Sequence, residues 1–201
     1  MIPIPYYISD ELKAHILNQC PTAESGWEFA NQDEDTLTGD FFGKMRTQWH
    51  TNKDYEWRFH YNKVRGRGRN AMEKTIGADG IITLHYRDRI TDQDFYKSLV
   101  FQAKKINNPI NKDQWKKMNA FFPGGNMIVC YSPQGYNCYI NNNTTNKLSL
   151  CKIIAEDFLQ CKIGIMGLYY DHKDNKFIRP NNVPTKGTVD HELMIEVFKN
   201  P

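Results

Sequence analysis

Three polar residues stand at neighbouring positions in two predicted β-strands. Gln102 and Lys104 lie two residues apart in the β-rich run Ser98–Lys104, so their side chains project from the same face of that strand. Asp79 opens the preceding β-rich run, Gly80–Tyr86, and antiparallel pairing of the two runs would bring all three side chains together. Polar groups on an otherwise apolar strand are costly to bury alone, so we expect them to border a cleft.

One carboxylate, one amide and one ammonium group suit the metal-assisted hydrolysis of a phosphodiester bond. Asp79 would be the anionic ligand of Mg²⁺, and the side-chain oxygen of Gln102 and the carbonyl of Ala103 would be neutral ligands, because hard cations prefer oxygen. Lys104 would polarise the attacking water or bind the scissile phosphate. The glycines of the turn at residues 77–80 would let the metal or a phosphate approach the backbone closely.

A second carboxylate is needed to hold Mg²⁺. Two glutamates that precede Asp79 in the sequence are candidates. Glu34 continues the apolar stripe of a predicted helix, formed by Leu37, Phe41 and Met45. An acid on that stripe points toward the core side of the helix. Glu73 is the alternative, because it lies just before the turn that carries Asp79.

The hydrophobic periodicity predicts a mixed α/β framework around these residues. Residues 33–49 have apolar side chains at helical spacing, with Asp33 suited to cap the helix and Asp35 expected in solvent. Further strands are predicted at 55–61, 125–131 and 136–140, and helices at 113–120 and 148–161. The stretch at 192–198 has no clear type. We therefore expect one α/β domain over residues 1–201, with a mixed central sheet flanked by helices.

Four segments together resemble a known nuclease family: EDTLTGDFFG, RGRGRNAMEKTIGADGI, SLVFQAKK and MIVCYSPQGY. They are similar to the restriction-endonuclease-like, or PD-(D/E)xK, nucleases in the Gln-x-Lys variant of Mrr-type enzymes and of bacterial anti-phage nuclease domains. The resemblance spans about Glu34 to Tyr139 and implies an α-β-β-β-α-β core, at about residues 30–165, with N-terminal and C-terminal extensions. It implies that Asp79, Gln102 and Lys104 bind metal and catalyse, with Glu34 as an assisting acid. Ala78 stands where the family has Pro.

A run of alternating arginine and glycine lies between the predicted helix and Asp79. Arg65, Arg67 and Arg69 are separated by single glycines, which gives a flexible loop rich in hydrogen-bond donors. Clustered arginine binds a phosphate backbone by releasing its counterions, so we expect these three residues to contact DNA. A soluble loop without a ligand is the alternative for such a composition.

The composition is that of an ordinary soluble protein. A net charge of +3 is too small to indicate a nucleic-acid partner by itself. No secretion leader or membrane-spanning run is found, so the expected location is the cytoplasm, without a membrane partner. The five cysteines, Cys20, Cys130, Cys138, Cys151 and Cys161, lack a CxxC pair and are expected to be reduced thiols.

The leading hypothesis is a Mg²⁺-dependent endonuclease that cuts double-stranded DNA in restriction or anti-phage defence, with Mn²⁺ able to replace Mg²⁺. A homodimer, or a larger assembly with a defence-system partner, would suit an enzyme that cuts both strands. The alternative is a non-catalytic nucleic-acid-binding module in which Gln102 has replaced a metal-binding acid. A partner-binding protein whose polar strand face is an interface is a third reading. The sequence leaves open the choice between DNA and RNA.

Overall fold

The computed structural model describes residues 2–64, 76–140, 143, 145–180, 184–186 and 188–201. The helices are α1 (Tyr6–Glu24), α2 (Trp27–Ala30), α3 (Glu34–Met45), α4 (Lys112–Phe121) and α5 (Leu150–Lys152), which continues as a π-helical turn at Ile153–Phe158. The strands are β1 (His50–Asn52), β2 (Tyr55–Lys63), β3 (Gly80–Asp88), β4 (Gln93–Lys105), β5 (Asn126–Tyr131), β6 (Asn137–Ile140), β7 (Leu148–Ser149), β8 (Ile165–Met166), β9 (Tyr169–Asp171), β10 (Lys176–Ile178), β11 (Pro184–Lys186) and β12 (His191–Lys199).

Helix α3 begins where the sequence predicts it. The Asp33 side chain accepts a hydrogen bond from the backbone N–H of Thr36 at 2.7 Å, which satisfies one of the unpaired donors of the first turn. The helix ends at Met45 rather than at the predicted Trp49. The chain is already extended at Arg46, and the N–H of the following Thr47 bonds to a carbonyl of β2.

Helix α1 is an element that the sequence analysis did not predict. Its buried side chains recur every three or four residues on one face and are Ile8, Leu12, Ile16, Cys20 and Ala23. This face packs against α3 and against the π-helical turn after α5. The first helix therefore covers the same side of the sheet as α3.

The main sheet has the strand order β1-β2-β12-β3-β4-β5-β6-β7, with β8 beside β4. Strands β3 and β4 pair antiparallel, as predicted, and β4 runs parallel to β5 after the crossover through α4. Strand β12 comes from the stretch that the sequence left untyped. It lies between β2 and β3, antiparallel to the first and parallel to the second. Strands β9, β10 and β11 form a separate small sheet.

Alternate residues of β4 face two hydrophobic cores on opposite sides of the sheet. Leu99, Phe101 and Ala103 belong to the larger core, under α1 and α3. Val100 belongs to the smaller core, with Trp115 of α4 and side chains of β9 and β10. The predicted class, a mixed α/β fold whose mixed sheet is flanked by helices, is confirmed. Elements α3, β2, β3, β4, α4 and β5 follow one another along the chain, with the short β1 before β2, but β12 separates β2 from β3 in the sheet. The restriction-endonuclease-like core stays a prediction.

The region predicted as one helix at 148–161 is divided. Its first two residues pair with β6 as strand β7, and the helical turns cover only Leu150–Phe158. The apolar stripe is nevertheless buried as expected, at Cys151, Ile154, Ala155 and Phe158. Burial of the stripe is thus predictable from periodicity, whereas the change of hydrogen-bond pattern is not.

Two cysteines form a disulfide, so the expectation of five reduced thiols is wrong for this pair. Cys20 of α1 is bonded to Cys151 of α5, with 6.2 Å between their Cα atoms. The partners are 131 residues apart, and spacing along the chain does not reveal cysteines that meet only in the fold. Cys130, Cys138 and Cys161 remain thiols. In the part of the chain that the structure describes, no helix has the length and apolar character needed to cross a bilayer.

Candidate functional site

The candidate site lies where β3 begins and β4 continues past it. The last residue pair of the two strands is Gly80 with Phe101. One residue earlier, the Asp79 N–H still bonds to the Phe101 carbonyl at 2.8 Å. Strand β4 continues to Lys105. Its last residues therefore extend beyond the start of β3, the strand that pairs with the earlier part of β4.

Along this extended edge, two side-chain carboxylates accept hydrogen bonds from backbone N–H groups of β4. Asp79 Oδ2 accepts from the N–H of Ala103 at 2.7 Å, and Glu34 Oε1 accepts from the N–H of Lys105 at 3.1 Å. The N–H and C=O of one strand residue point to the same side. The Ala103 carbonyl therefore lies on this edge between the two carboxylates. We call the edge, with these groups, the β4 edge.

A cavity of about 260 Å³ opens at the β4 edge. Its lining residues come from the start of α3, from the β4 edge and from the start of β12, and they are Asp33, Glu34, Asp35, Thr38, Asp79, Ala103, Lys104, Asp190 and His191. Four residues predicted from the sequence, Glu34, Asp79, Ala103 and Lys104, thus meet at one cavity. The Asp79 carbonyl accepts the N–H groups of Asp190 at 2.8 Å and of His191 at 3.2 Å, which joins β12 to the site.

Glu34 carries a negative charge at neutral pH. Burial acts to raise its pKa, but hydrogen bonds from the Asn108 side chain and the Lys105 N–H, together with the charge of Lys104, outweigh burial and hold the pKa below its ordinary value. The first turn of a helix also favours an anion, because its N–H groups carry a partial positive charge. Lys104 is therefore within electrostatic range of an ionised carboxylate.

Gln102 is not part of this arrangement. Its side chain is fully buried, and its Nε2 donates to Oε1 of Gln114 on α4 at 2.8 Å. Its Oε1 is buried and accepts no hydrogen bond from the described residues. Helix α4 covers β4 at residue 102, whereas Lys104 lies near the strand end and reaches the cavity. The expectation that both side chains enter one cleft is corrected, because strand spacing does not show where a helix covers the strand.

A buried histidine beside the cavity was missed by the sequence analysis. His191 Nε2 lies 2.9 Å from Asp35 Oδ1, and its Nδ1 lies 2.8 Å from the Tyr61 hydroxyl. Burial, followed by the charge of Lys63, lowers the pKa of His191 to about 4, so the ring is neutral at pH 7. The neutral ring donates a hydrogen bond from Nε2 to the carboxylate and accepts one from the Tyr61 hydroxyl at Nδ1. Asp35, expected in solvent, also pairs with Lys63.

The two glycines of the turn before β3 serve close packing. Gly77 has φ of +84°, and a Cβ there would lie 2.7 Å from the Gln114 carbonyl oxygen of α4. A Cβ at Gly80 would overlap the Phe101 ring. Neighbouring protein atoms account for glycine at both positions, and the approach of a metal or phosphate to this turn stays a prediction.

The groups that could hold a metal are the carboxylates of Asp79 and Glu34 and the Ala103 carbonyl. All are hard oxygen donors, and Mg²⁺ in proteins is commonly held by one or two carboxylates while it keeps several waters. The described residues contain no group of three or more His, Cys, Asp and Glu side chains that could hold a metal ion. The two carboxylates and the carbonyl are thus the oxygen donors at the cavity, and Mg²⁺ stays a prediction. Glu73, the alternative acid, and the predicted DNA contacts Arg65, Arg67 and Arg69 lie outside the described residues.

Comparison with known proteins adds no relative. No family model, curated protein or solved structure matches this chain. The assignment of a function therefore depends on the geometry of the site and on the chemistry of its residues.

Proposed function

We propose that the protein is a Mg²⁺-dependent endonuclease with a restriction-endonuclease-like core that hydrolyses phosphodiester bonds in double-stranded DNA, as an effector of restriction or anti-phage defence. The observation that carries the proposal is the β4 edge. Two carboxylates, Asp79 and Glu34, flank the Ala103 carbonyl there and lie at one cavity with Lys104. Mn²⁺ would replace Mg²⁺, since carboxylate and carbonyl ligands suit both ions.

Each group of the β4 edge has a distinct part in this reaction. Asp79, Glu34 and the Ala103 carbonyl would hold the ion, which supplies charge neutralisation at the phosphate and a more acidic bound water. The Lys104 ammonium would bind a non-bridging phosphate oxygen or orient the attacking water. Because the carboxylates are hydrogen-bonded to β4 itself, the ligands and Lys104 are fixed to one rigid element.

The neutral His191 side chain connects the elements that carry the two acids. It links Asp35 at the start of α3 to Tyr61 of β2 through its two ring nitrogens. Its backbone N–H also donates to the Asp79 carbonyl at 3.2 Å. The ring therefore ties α3, β2 and β12 together behind the two acids.

Plasmid cleavage tests the proposal. Supercoiled and linear DNA are incubated with the parent protein, with Lys104→Ala and with the matched control Lys53→Ala, in Mg²⁺, Mn²⁺ or EDTA. Lys53 is an exposed lysine in the turn between β1 and β2. We expect the parent and the control to cut with either metal and not in EDTA, and Lys104→Ala to be folded and inactive.

The contrary outcome is equally specific. Equal cutting by Lys104→Ala and the parent would remove the β4 edge from the reaction. No cutting by any variant, with salt-sensitive DNA binding that persists in EDTA, would favour the non-catalytic nucleic-acid-binding module. Sedimentation of the parent with and without DNA would test the homodimer expected of an enzyme that cuts both strands.

A further inference from the structure

A second cavity, of about 190 Å³, lies at the carboxyl ends of the parallel strands β4 and β5. We call it the strand-end cavity. Its walls are the last residue of β4 and the residues that follow it, at 105–108 and 110, the end of β5 and the next residue, at 130–132, Tyr139 of β6 and Lys147. The carboxyl ends of parallel strands are a common place for ligands in α/β sheets. Nothing in the nuclease proposal uses this cavity.

The strand-end cavity shares a wall with the candidate site. Glu34 accepts hydrogen bonds both from the Lys105 N–H and from the Asn108 side chain, and both of these residues line the second cavity. Lys104 lines the first cavity, and its partner in the neighbouring strand β5 is Cys130, which lines the second. A ligand with an anionic part at Lys104 can therefore extend directly into the strand-end cavity.

The lining residues have the chemistry that recognises a nucleobase. Tyr139 is half-buried against the smaller core, so part of its aromatic side chain remains available for stacking. Asn107 is an exposed amide that can both donate and accept hydrogen bonds, whereas the nitrogen of Asn108 donates to Glu34 and its amide oxygen is left as an acceptor. Burial raises the pKa of Cys130, so this thiol is neutral. Lys147 is exposed and supplies a cation at the rim.

The size of the strand-end cavity selects among nucleic-acid ligands. Its volume is below the range of about 300–1,000 Å³ that is typical of pockets for drug-sized molecules. It suits one ring-sized group rather than a base pair held in a stack. A base reaches such a pocket only when it is unpaired, either in a single strand or by extrusion from a duplex.

We propose that the strand-end cavity binds one unpaired base of the strand whose phosphate lies at the β4 edge. The inference rests on the proposed function and narrows its substrate to double-stranded DNA with an unpaired nucleotide next to the scissile bond, either in a single-stranded stretch or extruded from the duplex. Tyr139 stacks on the base, the two asparagine amides contact its edge, and Lys147 lies near the adjoining phosphate.

Binding measured in EDTA tests the inference apart from cleavage. Fluorescence anisotropy compares a labelled single strand, the same strand with abasic residues throughout, and the matching duplex. Tyr139→Leu is compared with Tyr6→Leu, an exposed tyrosine of α1. We expect Tyr139→Leu to weaken binding of the base-bearing strand about 5- to 150-fold, the loss typical of one stacked base, and to leave binding of the abasic strand unchanged.

Cys130 gives a second measurement that needs no variant. The base-bearing strand should slow alkylation of the Cys130 thiol, read by mass spectrometry, and the abasic strand should not. The inference would be overturned if the base-bearing and abasic strands slowed alkylation of Cys130 equally and if Tyr139→Leu lost the same affinity for both strands. It would also be overturned if the parent bound neither strand. If binding depends on the bases but no metal-dependent cutting is seen, the base site is supported and the nuclease proposal is rejected. If the protein cuts DNA but its binding does not depend on the bases, the nuclease proposal is supported and the base site is rejected.

Discussion

Polar residues lie on both faces of the central sheet, and their surroundings differ. Toward α3, Glu34 and Asp79 border a cavity and bind the extended backbone of β4. Toward α4, Gln102 bonds to Gln114 and Glu192 to His172, and both Gln102 and Glu192 are fully buried. The two faces carry similar residue types. Glu34 and Asp79 lie beside the end of β4, beyond the start of the neighbouring strand β3, and this position gives them access to the cavity.

The polar residues covered by α4 are accordingly expected to contribute to stability, and the carboxylates toward α3, with Lys104 at the strand end, to chemistry. Glu192 accepts from the His172 ring and from Asn62, which closes a polar cluster under the small sheet. Substitutions that preserve shape on each face test this division, because they separate loss of activity from loss of fold.

Asp79→Asn should have the largest effect of these substitutions. An asparagine oxygen can still accept the Ala103 N–H, so the fold is retained, but the anionic metal ligand is lost. We expect DNA cleavage in Mg²⁺ to fall by about 100-fold or more, the scale of losing one electrostatic contact to a transition state. Initial rates of plasmid nicking, with circular dichroism as the check of folding, measure this. Parental rates in folded Asp79→Asn would exclude the β4 edge as the metal site.

Glu34→Gln should have a smaller effect on the same face. The glutamine oxygen can accept from the Lys105 N–H as the carboxylate does, while the site loses one negative charge. We expect cleavage to fall about 10- to 100-fold, the usual range for a supporting group of a metal site, and to recover partly at higher Mg²⁺. Glu28→Gln, at an exposed acid of α2, is the control. Equal rates for the two variants would leave Glu34 with only its structural hydrogen bonds.

Gln102→Leu should lower stability and leave cleavage near the parental rate. Gln114 would lose its partner, which costs about 1 kcal/mol in the free energy of unfolding, at the low end of the range because Gln114 is only half-buried. Urea unfolding of Gln102→Leu, of Gln114→Leu and of the double variant measures the coupling between the two side chains. A folded Gln102→Leu protein that is as inactive as Asp79→Asn would restore Gln102 to the metal site and refute the division between faces.

His172→Gln should have the smallest effect, and one that depends on pH. The hydrogen bond to buried Glu192 raises the pKa of His172 above its ordinary value of 6.5. The folded protein thus binds this proton more tightly than the unfolded chain. The resulting stability is fully present below about 6.5 and is lost as pH rises through the raised pKa.

We therefore expect His172→Gln to lower the melting temperature in mild acid by about 2–4 °C, or about 1 kcal/mol, since the half-exposed ring is screened by solvent. Above the raised pKa the variant and the parent should converge. A difference that is constant across pH would show that the contribution of His172 comes from packing alone.

The elements that sequence patterns predicted are those with one clear period. Helix α3, strands β2 to β6 and helix α4 have regular apolar spacing and a recognisable start or turn. Strand β12 was not typed because Met194 and Phe198 stand at the same alternate positions as Glu192 and Glu196, which interrupts the alternation of polar and apolar residues. The Cys20–Cys151 bond was missed because it depends on how α1 packs.

The candidate site was predictable to the extent that it follows from strand pairing. Antiparallel β3 and β4 bring Asp79 beside β4, and the helical stripe brings Glu34 to the same edge. The place of Gln102 depends on which face α4 covers, and that of His191 on the insertion of β12. Both are decided by tertiary packing, which spacing along the chain does not show.

The insertion of β12 also determines when the molecule can be completed. During synthesis, β2 and β3 leave the ribosome long before residues 191–199 and have unpaired edges toward each other until then. Pairing over such a separation is slow, and exposed edges favour aggregation. Asp190 and His191 arrive with the same strand. This order leaves the cavity at the β4 edge without two of its lining residues until the start of β12 has been made.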